Sequence, residues 1–183
     1  MRAIEILKDE HDAVLAVLSQ LDRAVDAAKR GSPIPADIFL DIGEFFAVFV
    51  DHCHHGKEES ELFPRLGIGE DADVVAALER DHHLGRGLAA AYGDAARAYV
   101  PGDPMSAERL ASSAWKYGSL LRVHIDHETR ELFPVVERTL AAEDERLIAA
   151  FDRIEEEQIG AGTHERLHDM IATLEGRITS WCQ

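Results

Sequence analysis

The sequence predicts an all-α protein: an up-down four-helix bundle followed by a C-terminal helical extension. Three observations predict it. Apolar residues recur at spacings of three and four along most of the chain, no stretch alternates with the period of a strand, and the breaks between periodic segments are short. Those breaks read "RGSPIPAD" (30–37), "GIGEDAD" (67–73), "VPGDP" (100–104) and "IGAGT" (159–163). Short connections make consecutive helices antiparallel neighbours. The bundle is therefore expected over residues 1–142, with an extension over 143–183 packing on it.

The first helix is expected over about 3–29, where Ile4, Leu7, His11, Val14, Leu18, Leu21, Val25 and Ala28 form one seam. The second, about 36–65, carries Phe46, Val50, His54, Glu58 and Leu62 in steps of four. The third, about 73–98, aligns Val75, Leu78, His82, Gly85, Ala89, Tyr92, Ala96 and Tyr99. The fourth, about 106–158, aligns Leu120, His124, Glu128 and Leu132, with an interruption expected near Pro134 because proline removes a backbone donor. A last helix covers about 164–181. Trp115, Tyr117 and Phe151 are expected in the core.

Composition narrows the function. The chain carries 35 acidic against 19 basic residues, a formal charge of −16, which repels nucleic-acid backbones and anionic membranes. Cys53 and Cys182 belong to no Cys-x-x-Cys pair and cannot build a disulfide framework. The opening "MRAIEILKDEH" lacks the apolar core of a signal peptide, so a cytoplasmic location is expected.

An internal repeat carries the chemistry. Shifted by 70 positions, residues 54–64 fall on 124–134 and pair His54 with His124, Glu58 with Glu128, Glu61 with Glu131, and Leu62-Phe63-Pro64 with Leu132-Phe133-Pro134. A shift of 71 lays "LKDEH" on "LERDH" and pairs His11 with His82. Four helices thus each deliver one histidine to the seam, and two add a glutamate one turn later. Buried carboxylates without partners cost several kcal/mol each, on the order of ion-desolvation penalties. Two divalent cations remove that cost, with each glutamate bridging both ions and the imidazoles at terminal positions. Such mixed nitrogen and oxygen donors suit iron, manganese or zinc. His52, His55 and His127 fall on Arg122, Ile125 and Lys57 in the repeat and are set aside, as is His83 beside His82.

The pattern resembles the hemerythrin-like family, the HHE cation-binding domain, over about residues 3–140. Its lone histidine, His-x-x-x-Glu before Leu-Phe-Pro, second lone histidine and second His-x-x-x-Glu correspond to His11, His54 with Glu58, His82, and His124 with Glu128. The resemblance implies two non-haem iron ions bridged by the glutamates and an oxo or hydroxo group, with manganese or zinc as substitutes. It also implies a small-molecule partner: dioxygen, hydrogen peroxide or nitric oxide. The oxygen carriers of the family have a further histidine where this chain has Arg86 and an aspartate where it has Thr129. One ion is therefore expected to have a more open coordination sphere, with His55, His83 or Glu61 as neighbours able to occupy it. Peroxide decomposition, other redox chemistry or sensing is favoured over reversible oxygen carriage, with a metal-binding or sensing module that does not turn over as the alternative.

"HERLH" (164–168) meets the zinc-protease spacing, with Glu175 as the conceivable third ligand. Only fifteen residues follow it, which leaves little room for a cleft, so an accessory metal site is the better reading of the two.

Overall fold

The computed structural model describes residues 1–160 and 162–181. Four long helices form the bundle. The first is α1 (Arg2–Lys29), and Gly31, with φ of 93°, turns the chain out of it. The second runs over 36–66 as α2 (Ala36–Phe45), π-helical stretches Phe46–His55 and Glu58–Leu62, and α3 (Phe63–Leu66). The third is α4 (Ala72–Arg97). The fourth runs over 104–139 as α5 (Pro104–His127), a π-helical stretch Glu128–Leu132, and α6 (Phe133–Thr139). Asp103 caps its start by accepting from the Ser106 backbone N–H at 2.7 Å, with Pro104 in the first turn, where a missing donor costs nothing.

Two apolar cores sit at opposite ends of the bundle. The larger contains Val14, Leu18, Phe46, Val50, Tyr92, Tyr117 and Leu121; the smaller contains Ile4, Leu7, Leu62, Phe63, Leu78, Leu132 and Phe133. Each long helix crosses from one core to the other, and the crossing alternates in direction, so neighbours are antiparallel. His11, His54, His82 and His124 lie where the helices pass between the cores. The seam of each helix thus delivers a polar layer between two dry ones.

The fourth helix differs from expectation. It passes Pro134 unbroken, and the break comes at Leu140, before a 3₁₀ turn (Ala141–Glu143) and α7 (Asp144–Ile154). The π-helical turn explains this: the Phe133 N–H reaches back five residues to the Glu128 carbonyl. Pro134 then opens a fresh α-helical segment, where no partner is needed for its nitrogen. The second helix does the same, with the Phe63 N–H on the Glu58 carbonyl ahead of Pro64.

After α7 and a π-helical stretch (Glu155–Ile159) comes α8 (Thr163–Thr179). Leu147 and Phe151 of α7 join the smaller core, and Leu167, Leu174 and Ile178 of α8 join the larger. Arg177 of α8 binds Asp41 at 2.7 Å. The side chains of His164, Glu165 and His168, on which the protease and accessory-site readings depend, lie outside the described residues, as does Cys182. Glu175 is exposed and faces Arg23 at 3.6 Å. Trp115, expected in the core, is instead 70% exposed, because α5 buries Leu110, Ala114, Tyr117 and Leu121 and Trp115 stands a third of a turn off that stripe. Among the described residues, no helix is long and apolar enough to cross a membrane.

The packing predicts opposite outcomes for two aromatic truncations. Phe151→Ala should destabilise the protein by about 3–5 kcal/mol, whereas Trp115→Ala should stay within about 0.5 kcal/mol of the parent. Urea unfolding followed by circular dichroism measures both.

Candidate metal centre

The polar layer brings all six sequence-selected residues together. His11, His54, Glu58 and Glu128 present donor atoms within 4.8 Å of one another, and so do Glu58, His82, His124 and Glu128. The two sets share both glutamates. The His11 and His54 Nε2 atoms face each other at 3.0 Å, and those of His82 and His124 at 3.1 Å. Glu58 and Glu128 are fully buried. Nε2 of His11 and of His124 each stand 3.0 Å from Glu128, and Nε2 of His82 stands 3.4 Å from Glu58. None of these approaches has hydrogen-bond alignment, so all four carboxylate oxygens lack a donor.

The outer nitrogens of two imidazoles are fixed by acids. His54 Nδ1 lies 2.7 Å from Glu10 Oε2, and His82 Nδ1 lies 2.7 Å from Glu59 Oε1. A proton on each Nδ1 leaves the Nε2 lone pair aimed into the layer, the tautomer a metal ligand needs. Asp81 stands farther off, 3.7 Å from His124 Nδ1, which has no hydrogen-bond partner. Burial opposes charge on His82, but Glu128, Glu58 and Glu59 outweigh it and push its pKa up to about 11. Burial likewise opposes charge on Glu128, and His124, His11 and His82 hold its carboxyl well below the usual range. The layer therefore draws positive charge. The repeated Leu-Phe-Pro closes it: Phe133 stacks on the His11 ring at 5.3 Å, and Phe63 covers His82 at 5.3 Å.

A model of the hemerythrin HHE cation binding domain matches residues 2–136. The chain belongs to that family. It is 23% identical over 175 residues to the uncharacterized protein Rv1995 of Mycobacterium tuberculosis and to the uncharacterized protein Mb2018 of Mycobacterium bovis, covering 94% of this chain and 69% of each relative. No solved structure matches. The donor chemistry of this HHE domain fits the cation binding for which the family is described. Buried imidazole and carboxylate groups converge, and the orphaned oxygens of Glu58 and Glu128 lie where cations would satisfy them.

The histidines set aside sort unevenly. His52 and His83 are exposed, and His127 is partly exposed and pairs with Glu131 at 3.4 Å. Glu61 turns to Arg65 at 2.8 Å, away from the layer. His55 is different: it is buried, its ring stacks on His82 at 3.8 Å, and it groups with His82 and His124. It was set aside because the repeat pairs it with Ile125, but Phe46–His55 winds as a π-helix, whose wider turns change which neighbours share a face. Burial, reinforced by His82, His54 and His124 against the pull of Asp51, pushes its pKa down to about 3, so it is neutral.

The supporting acids were missed, although a signal existed. The shift of 71 that pairs His11 with His82 also pairs Glu10 with Asp81, and each acid turns to the histidine of the following helix. No repeat marks Lys57. Its side chain is wholly buried, its ammonium binds Glu10, and it reaches Glu155 beyond the bundle at 2.5 Å. Burial would raise Glu10, but His54 and Lys57 hold it down to about 2. Cys53, packed beside them, is pushed up to about 12, chiefly by burial.

Glu10→Ala removes the acceptor for His54 and one partner of a buried ammonium. Metal affinity should fall on the order of 10–100-fold, and stability by roughly 3–5 kcal/mol. Metal titration and urea unfolding measure the two effects separately.

Proposed function

We propose that this HHE-domain protein holds two iron ions between Glu58 and Glu128 and reacts with, or binds, a small oxidant: dioxygen, hydrogen peroxide or nitric oxide. One observation carries the reading: two four-donor sets share the same two carboxylates, and none of the four shared oxygens has a hydrogen-bond donor. His11 and His54 would hold one ion and His82 and His124 the other, with each glutamate spanning both. Such a pair, when bound, supplies electrons and an open coordination position to a small ligand.

The protein's own residues do the rest. Glu10 and Glu59 keep the His54 and His82 rings turned inward and their Nδ1 protons outward. Phe63, Phe133 and the two apolar cores exclude bulk water and admit only small molecules, which limits side reactions. Arg86, on the helix 72–97, faces Asp51 and Glu59 at 2.7 Å each and leaves the layer without a second histidine from that helix. This favours reaction over reversible carriage.

A second reading, iron or oxygen sensing without turnover, is favoured by one contact chain. Glu155, in the segment after α7, touches Lys57, which touches Glu10, which holds His54. A change at the metal would reach the C-terminal segment along that path.

Metal analysis of purified protein should give two irons per chain. Glu58→Ala and Glu128→Ala should each lose the pair, while His127→Ala keeps it; retention of both ions in the glutamate variants would refute the bridging role. Iron at a hundredfold excess over its Kd should add about 2.7 kcal/mol of stability, and a chelator should remove it. On the loaded protein, sustained oxygen evolution from peroxide supports turnover, and a stoichiometric spectral change without it supports sensing.

A further inference from the structure

We infer that His55 is a fifth imidazole ligand of the metal pair, supplied by the second helix to the ion held by His82 and His124. The inference rests on the two-ion reading above. One ring nitrogen of His55 lies within 4.8 Å of donor nitrogens of both His82 and His124. The ring stacks on His82 at 3.8 Å and meets His124 edge-on at 5.4 Å. It is buried, and its Nδ1 has no hydrogen-bond partner, the nearest acid being Asp51 at 3.7 Å.

The surroundings are built for this role on one side of the centre only. Helix 72–97 offers His82 and then, one turn on, Arg86, which is directed to Asp51 and Glu59 rather than inward. Asp51 is thereby held on the His55 side of the layer, 3.7 Å from its Nδ1, while Glu59 meets His82 Nδ1 at 2.7 Å. The π-helical winding of Phe46–His55 lets His54 and His55, adjacent in sequence, both face the layer, His54 toward His11 and His55 toward His82. In the repeat, His55 falls on Ile125, whose side chain belongs to the larger apolar core. The His11 and His54 set therefore has no equivalent fifth imidazole among the described residues.

The test compares iron-loaded wild-type protein with His55→Phe, which keeps a ring to stack on His82, and His55→Ala, which opens space. Iron per chain, the Mössbauer spectrum and the rate of iron withdrawal by a chelator are read for each. Both variants should yield one iron on the order of tenfold faster or more, with one iron environment altered. Added imidazole should slow withdrawal again in His55→Ala but not in His55→Phe. Unchanged withdrawal and spectra in both variants, with a wild-type pair present, overturn the His55 assignment alone. A wild-type chain that takes up no metal pair overturns the two-ion reading and this assignment with it.

Discussion

Two carboxylates at the centre of a helical bundle, surrounded by imidazoles and with no donor for any of their four oxygens, constrain everything built around them. Removing such groups from water costs several kcal/mol apiece, more than a marginally stable domain can leave uncompensated. The same carboxylates pull positive charge toward the layer, as the upward shift of His82 shows. Cations relieve that cost, because each can serve oxygens from both glutamates at once. Metal affinity and bundle stability are then one free energy viewed from two sides. The two dry cores above and below the layer raise the stakes by keeping water from doing the same work.

The doubled Leu-Phe-Pro shows how local backbone serves that centre. In each copy the leucine fills the smaller core, the phenylalanine covers a lone histidine from a neighbouring helix, and the proline follows a widened turn. The widened turn begins at the glutamate itself, Glu58 or Glu128. Winding, cover and ligand are thus set within seven residues. A π-helical turn is less favourable than an α-helical one and is found most often at functional sites. Here it places a carboxylate and lets the helix continue past a proline.

Much of this was legible from spacing. Steps of four placed His54 with Glu58 and His124 with Glu128 on inward faces, and the repeat chose His11 and His82 from ten histidines. What escaped had identifiable causes. His55 was lost because the repeat pairs it with Ile125, so a test of symmetry discards it, and nothing in "FAVFVDHCHH" marks the π-helical winding that turns it inward. Trp115 was assigned to the core with Tyr117 and Phe151 on helical spacing, although one position of rotation separates it from the buried stripe. Pro134 was read as a break because the rule for proline assumes the turn before it is α-helical. Glu10 and Asp81 were legible in the repeat, but only by asking which acids face the outer nitrogens of the imidazoles.

Several departures from two-fold symmetry gather on the second helix. Asp51, His55, Lys57 and Glu59 all lie on the second helix, and their counterparts at a shift of 70 are Leu121, Ile125, His127 and Thr129. The glutamates, the four paired histidines, the covering Leu-Phe-Pro and the acids Glu10 and Asp81 keep the repeat; these four groups of the second helix do not. If the layer holds two ions, the repeat would give them like positions, and these nine residues of one helix would make the positions unequal. One position gains an ammonium-anchored acid behind His54 and a contact to Glu155; the other gains Glu59 behind His82 and an extra buried imidazole. On the reading proposed above, unequal ions would suit a reaction with a small oxidant, since one could bind while the other adjusts charge. The inequality, more than the shared ligand set, is where this chain's particular chemistry is written.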